Sequence, residues 1–533
     1  VDCTARFIPY QDTHHFSSLV LDYVNRSRTL NPFYAYKPDI EGVREAILQR
    51  KKFPTNRQLL VDAIRTTHAS REMSEAQTRN LDALLRPQTF TVCSAHQPNI
   101  FSGYLYFVYK ILHTISLAEE FKKNIPENEF VPVFYMGSED NDLDELSQFW
   151  LSGEKYKWET KQKGAVGRMK VDSGILSLID IVASMLGNEP HGQEVVDMLR
   201  ESYELGSTVA EATFRLINHL FSAYGLLVLQ PDQADLKRTM IPAFRDDLRT
   251  QQSYSLVSIT AKTLEQHYKV QVNPREINLF YMEDGSRNRL VRQNNIFFVD
   301  ATGKNFSLPE ILEEVETYPE RFSPNVVLRG LYQETILPNI AFVGGGSELA
   351  YWLELKTLFN HFSVPFPVLV LRNSFLIVSP EQDALLRKTG CDIRDIFLPE
   401  QKLMDKLVSR DTKHKLQLEE ELSAATLFYR RIGGIAGEVD PTLRQHVAAL
   451  EKKAVNHLRE LEKKMLRAEK RKHQSLHGQI MKLKGSLFPN KTLQERTENI
   501  LPYYARYGKD IIACLHKHSM SLEMQFGVIN VTE

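Results

Sequence analysis

Short apolar runs that end in polar or glycine-bearing loops recur through the middle of this chain, with helical periodicity between them, and nothing else in the sequence restricts the fold as much. TFTVCSA (89–95) runs into HQPNIFSG and then into an amphipathic stretch from Tyr104 to Lys123. FVPVFYM (130–136) follows and opens into the acidic loop GSEDNDLDE (137–145). Runs this short and this rich in β-formers suit buried strands, and strand, helix, strand in that order makes a βαβ unit. Further strands are expected at 225–232, 277–282, 295–300, 325–330 and 365–372, which implies an α/β fold with a mixed, mainly parallel sheet. Ligands of such sheets lie beyond the carboxyl ends of the strands. HQPNIFSG, GSEDNDLDE and GGGSE (344–348) would then share one rim.

The flanks read differently. Phe16, Leu19, Val20 and Tyr23 recur at helical spacing, as do apolar residues from Arg57 to Leu85, so 1–87 is expected to be a helical segment associated with a core at 88–400. Leu403–Phe428 and Pro441–Leu487 are long charged helices, and Leu443, Val447, Leu450, Ala454, Leu458, Leu461, Met465 and Ala468 step by three or four, close to a heptad. An antiparallel arm over 401–487 is expected, turning at GGIAGEVDP (433–441), with 488–533 returning to the core. Its apolar stripe must be covered by the first helix or by a second subunit, and a dimer contact is expected.

With 66 basic and 67 acidic residues in 533, the chain has no overall field to draw it onto nucleic acid or an acidic membrane. No stretch nears the roughly 18 apolar residues of a membrane span, and VDCTARFIPYQDTHHF has neither the basic nor the apolar region of a leader. Cys3, Cys93, Cys391 and Cys514 lie far apart, so neither a metal knuckle nor a disulfide framework is readable. A cytoplasmic protein is expected.

Three loops can carry chemistry. Glu139, Asp140, Asp142, Asp144 and Glu145 crowd together after a buried strand; like charges so close raise each other's pKa unless a cation separates them, though a solvated helix-capping loop is the competing account. HQPNIFSGYLYFVYK (96–110) sets His96 and Gln97 at a strand end, Gly103 at a turn and Lys110 about two turns into a helix, a natural anion seat. GGGSELAYWLELK (344–356) offers close backbone approach beside Ser347 and Glu348, or simply a tight strand-to-helix turn. Past the arm, SLFPNKTLQER packs Asn490, Gln494, Glu495 and Arg496 into one turn region, where an arginine can fork onto phosphate or carboxylate.

HQPNIFSGYLYFVYK, VPVFYMGSEDNDLDE, SPNVVLRGLYQETILPNIAFVGGGSELAYW and LFPNKTLQER together resemble the bacillithiol-synthesis cysteine ligase family, BshC, in order from about residue 88 to the C-terminus. The resemblance implies a Rossmann-like core with inserted connecting segments and a C-terminal α-helical coiled coil that mediates homodimerisation. It also implies the activity: joining cysteine to the amine of glucosaminyl-malate, with a nucleotide activating the cysteine carboxylate. ATP or ADP is the expected nucleotide, with Mg²⁺ as its companion, no resident metal site, and neither nucleic acid nor membrane as partner. By position His96, Gln97, Gly103, Tyr106, Lys110, Glu139, Asp140 and Asp142 match the first two motifs, with Asn141 beside them as an expected substrate-binding residue, and Arg329, Gln333, Gly344, Gly345, Glu348, Tyr351 and Trp352 match the third. Asn490, Gln494, Glu495 and Arg496 match the fourth and are the candidates for a second, nucleotide-binding pocket.

Within that scheme His96, Lys110, Asp140 and Asp142 are the expected catalytic residues. Lys110 and Arg329 would stabilise phosphate charge, Asp140 or Asp142 would orient or deprotonate the amine, and His96 is a second base. Where many family members read E-D-H-D this chain has Glu139-Asp140-Asn141-Asp142, which removes a titratable group. The alternative expectation is a dimeric binding or scaffold protein that keeps a ligase-like core without turnover.

Overall fold

The computed structural model describes residues 2–411, 417–472 and 474–532. It divides into two compact units: Val1–Gln11 with His15–Val378 and Thr492–Glu533, and Asp12–His14 with Ser379–Lys491. Among the described residues no helix is long and apolar enough to cross a membrane.

The first unit is built on a five-stranded parallel sheet, in the order Val368–Leu371, Asn339–Gly344, Thr89–His96, Glu129–Met136 and Leu227–Leu229. Thr89–His96 and Glu129–Met136 are buried over almost their whole length, which is why they read as continuous apolar runs. The Leu105–Asn124 helix connects them. It is apolar on most sides because it is buried on most sides, from Leu105 through Phe107 and Leu112 to Phe121. The loop before it turns through Phe101 and Ser102 in the left-handed region and Gly103 at φ +61°, where a Cβ would stand 2.9 Å from Asn99. Asn499 ties this loop down by donating to the carbonyls of Phe101 and Gly103 at 2.8 and 2.6 Å.

Three expectations are corrected. NVVLRG (325–330) is helix, not strand: Asn325 accepts from Val327 N at 2.9 Å and caps Val326–Ile336. INLFYM and NIFFVD are strands, but of a separate antiparallel sheet ordered Asn305–Ser307, Ile296–Val299, Ser286–Gln293, Leu279–Glu283, Phe322–Pro324. The N-terminal segment is not wholly helical either. Asp2–Ile8 pairs antiparallel with Phe526–Thr532, which pairs parallel with Ser374–Val378. Beside this small sheet Cys3 and Cys514 form a disulfide, Cα atoms 6.1 Å apart, a pairing hidden in the sequence because its partners are 511 residues apart.

In the second unit Glu419–Val439 packs antiparallel on Leu443–Lys472, with Leu418 N donating to Glu462 at 3.0 Å, so the paired helix begins and ends later than the Leu403–Phe428 expected. Residues 412–416, inside the first expected arm helix, lie outside the described residues. The turn is shorter than GGIAGEVDP. Helix continues through Gly433, Gly434 and Gly437 to Val439. Gly437 faces Arg444, whose side chain fills the space a Cβ would need, and a Cβ at Gly433 would rest 3.6 Å from Val447. Gly437 thus lets the two helices approach rather than bending one.

Candidate functional site

The carboxyl ends of four neighbouring strands of the parallel sheet surround a cavity of about 430 Å³ in the first unit. Ala95 and His96 come from one strand, Tyr135 from the next, and Gly345 and Arg372 follow the two on the other side. Lys110 reaches the floor from the Leu105–Asn124 helix, and Arg329 from the helix capped by Asn325. Asp140 and Glu348 both line this cavity, together with Gln97, Tyr106, Glu139, Tyr351 and Arg496.

Lys110 is 1% exposed; its ammonium donates to Glu348 at 2.5 Å and to the Ala95 carbonyl at 2.9 Å. Burial lowers its pKa and the Glu348 carboxylate works against that shift. Glu348 also accepts from Gly345 N at 2.9 Å, closing the first turn of its own helix. Arg372, 4% exposed, forks onto Glu495 through bonds of 2.9 and 2.8 Å. His96 is held well below the usual imidazole range by burial and by the cations Lys110, Arg372 and Arg329, so it is neutral and only weakly basic. Its ring meets Tyr106 edge to face at 5.5 Å.

The acidic loop splits its labour. Glu139 is buried and ion-paired to Lys237, which also meets Asp232 at 3.0 Å, and Asp232 is gripped by Arg168. Asp140 lines the cavity and accepts from Gln97 at 3.1 Å. Glu145 is pushed up by burial and by the carboxylates of Asp142 and Asp140, the crowding the sequence leads one to expect. Asn141 accepts from Arg287 at 3.1 Å. Asp142 caps the next short helix by accepting from Glu145 N at 3.1 Å and lies outside the cavity.

Arg329 donates to the Tyr351 hydroxyl, and among the described residues no carboxylate comes within 4.0 Å of the nitrogens of Arg329 or Arg496. The cavity therefore presents guanidinium charge without a bound counter-ion next to the carboxylate of Asp140. That lining suits a substrate carrying carboxylate or phosphate alongside an amine. Among the described residues no three His, Cys, Asp or Glu side chains gather as a metal site.

Residues 4–373 match the family model for the bacillithiol biosynthesis BshC N-terminal Rossmann-like domain, and residues 375–531 match that for the BshC C-terminal coiled-coil domain. The chain belongs to the BshC family. Its relatives include proteins named "Putative cysteine ligase BshC" from Flavobacterium psychrophilum, 38% identical over 525 residues and 98% of each chain, and Flavobacterium johnsoniae, 36% identical over 98% of this chain and 99% of that one. One from Prosthecochloris aestuarii is 28% identical over 93% of each chain.

Of the residues carried over from BshC, the fold leaves several away from the cavity wall. Gly103 shapes the loop before the Lys110 helix, Gly344 ends its strand, and Gln333 is buried, donating to Glu334 at 2.9 Å. Trp352 is core, stacked on Phe342 at 4.5 Å. Gln494 spends its amide on Ile377, accepting from its N–H at 2.9 Å and donating to its carbonyl at 3.0 Å. Glu495 is fully used by Arg372 and Ser374, and Asn490 is exposed in the second unit. Of that fourth group only Arg496 faces the cavity. Two cationic wall residues, Arg287 and Arg372, were not singled out from the sequence. Arg372 was detectable as the polar residue ending PFPVLVLR at a strand's carboxyl end; nothing in EDGSRNRLVRQ marks Arg287.

Proposed function

We propose that this chain is a ligase that joins the carboxylate of cysteine to the amine of glucosaminyl-malate in bacillithiol biosynthesis, with ATP as the activating co-substrate. The observation that carries this reading is the convergence of Lys110, Asp140, Arg329 and Glu348, from three separate motifs, on one cavity. A free carboxylate is a poor acyl donor, so amide formation needs phosphoryl or adenylyl activation, with any magnesium arriving on the nucleotide phosphates.

Arg329 and Arg496 bind and orient anionic oxygens, and Lys110, fixed by Glu348, supplies charge where negative charge develops. Asp140, oriented by Gln97, accepts a proton from the attacking amine. His96, neutral beside three cations, serves as a hydrogen-bonding wall group rather than as the base. The arm leaves Leu427, Phe428, Ile435 and Val439 between 59% and 80% exposed, which supports a homodimer formed through it.

Purified protein incubated with ATP, cysteine and glucosaminyl-malate is expected to yield the conjugate by mass spectrometry, with ADP or AMP in equal amount. Binding of the substrates with no conjugate formed would leave the scaffold reading in its place.

A further inference from the structure

A second cleft of about 620 Å³ opens beside the cavity, and Asp140, Arg287, Asn325 and Val326 line both. One wall is a face of the antiparallel sheet. Phe280 pairs with Arg289 and Met282 with Arg287, so Phe280, Arg287 and Arg289 share that face at alternate positions. The Arg287 guanidinium lies over the Phe280 ring at 3.9 Å and donates to Ser323 at 3.0 Å and Pro324 O at 3.3 Å. Arg275 also lines the cleft, its backbone pinned on both sides by the Asn278 side chain, at 3.3 and 2.8 Å. Asn278 N is in turn held by Asp247 at 2.6 Å.

This is a rigid frame around cationic side chains. Arg287 feels Glu139, Asp140 and Asp232 across the junction. Asp142 and Glu276 also line the cleft, yet among the described residues no carboxylate comes within 4.0 Å of the nitrogens of Arg275 or Arg289. Two arginines two positions apart on one strand face repel, and an anion bridging them relieves that repulsion. A cavity of 430 Å³ is also small for an amino acid, an amino sugar conjugate and a nucleotide together.

We propose that this cleft is a second anion subsite that takes the multiply charged end of a substrate whose reacting end sits in the cavity. The ligand chemistry is an oligo-anion, either the dicarboxylate of the amine acceptor or the polyphosphate of the nucleotide. The proposal rests on the ligase reading for its choice of substrates, but its anion binding is measurable without turnover.

The test uses the full-length protein, with malate and inorganic tripolyphosphate as separate probes in calorimetric titrations at low salt. One of them binds the wild type and binds Arg275→Gln/Arg289→Gln at least tenfold more weakly, with thermal unfolding unchanged. In ligation, the same variant raises KM for the acceptor if malate is the probe affected, or for ATP if tripolyphosphate is, and leaves KM for cysteine within twofold. Equal affinity of variant and wild type for both probes, or no binding of either to the wild type, overturns the subsite. Probe binding lost in the variant while the wild type makes no conjugate would keep the subsite and defeat the ligase reading.

Discussion

Lys110 and Glu348 stand 238 positions apart in the chain and meet at 2.5 Å on the cavity floor. The ammonium is almost wholly buried while the carboxylate keeps a fifth of its surface, and that carboxylate works against the burial that lowers the lysine pKa. Removing one partner strands the other. Glu348→Gln, which leaves the buried ammonium without its counter-charge, is expected to cost about 3–5 kcal/mol of stability, whereas Lys110→Met leaves only a partly exposed carboxylate and costs less while abolishing ligation. Urea unfolding of the two variants beside the wild type checks this, and equal midpoints for all three would show that the pair is not buried as described.

Asp140 and Asp142 separate cleanly by position. Asp140 faces the cavity and Asp142 caps a helix outside it. Asp140→Asn is expected to slow ligation by about 10²–10⁴-fold, the usual loss when a general base is removed. Asp142→Asn retains a capping oxygen and should stay within a few tenths of a kcal/mol of wild type, with near-normal rate. Steady-state rates of both variants decide it; equal losses would remove Asp140 from its role as base.

Glu354 accepts from Gln271 N and Val272 N at 3.1 and 3.3 Å, and burial pushes its carboxyl up to about 7. Between its unfolded value and 7 the folded chain keeps a proton that the unfolded chain has released. This contribution favours the folded state in acid and is lost as pH rises through 7. Glu354→Gln is therefore expected to gain stability relative to wild type on going from pH 5 to pH 8, read from denaturant midpoints at the two values. A constant difference would mean that Glu354 titrates as it does in the unfolded chain.

Phe428 and Ile435 are 60% and 59% exposed on the arm. If these apolar surfaces meet a second copy, Phe428→Glu/Ile435→Glu shifts sedimentation from dimer to monomer at micromolar concentration with helix content unchanged. A wild-type chain that sediments as a monomer would leave the arm without that role.

Cys3 and Cys514 are paired while Cys93 and Cys391 are free. Alkylation of the denatured, unreduced protein should label two of its four cysteines, and all four after reduction. Four labels without reductant would count against the disulfide.

The parallel sheet was readable from 89–96 and 129–136 because strands buried on both faces have one pattern wherever they occur. The rim followed from strand direction. NVVLRG misled because its β-branched pair favours a strand, and the Asn325 cap outweighs that preference. The Asp2–Ile8 strand was invisible because its partner lies at the other end of the chain, and local periodicity carries no trace of a contact at that separation. In the site, Gln494 and Glu495 looked like ligand-binding groups, yet their side chains are consumed by Ile377 and Arg372. Residue type alone cannot distinguish an amide that meets a ligand from one that meets a backbone.

Gln494 holds both polar groups of Ile377, so the chain leaves the core after Val378 and re-enters it at Thr492 beside its point of departure. Ser379–Lys491 forms the second unit together with Asp12–His14. Held by Gln494, the two ends of the first unit at Val378 and Thr492 are near enough for a short linker to join them without any core strand exchanging its neighbour.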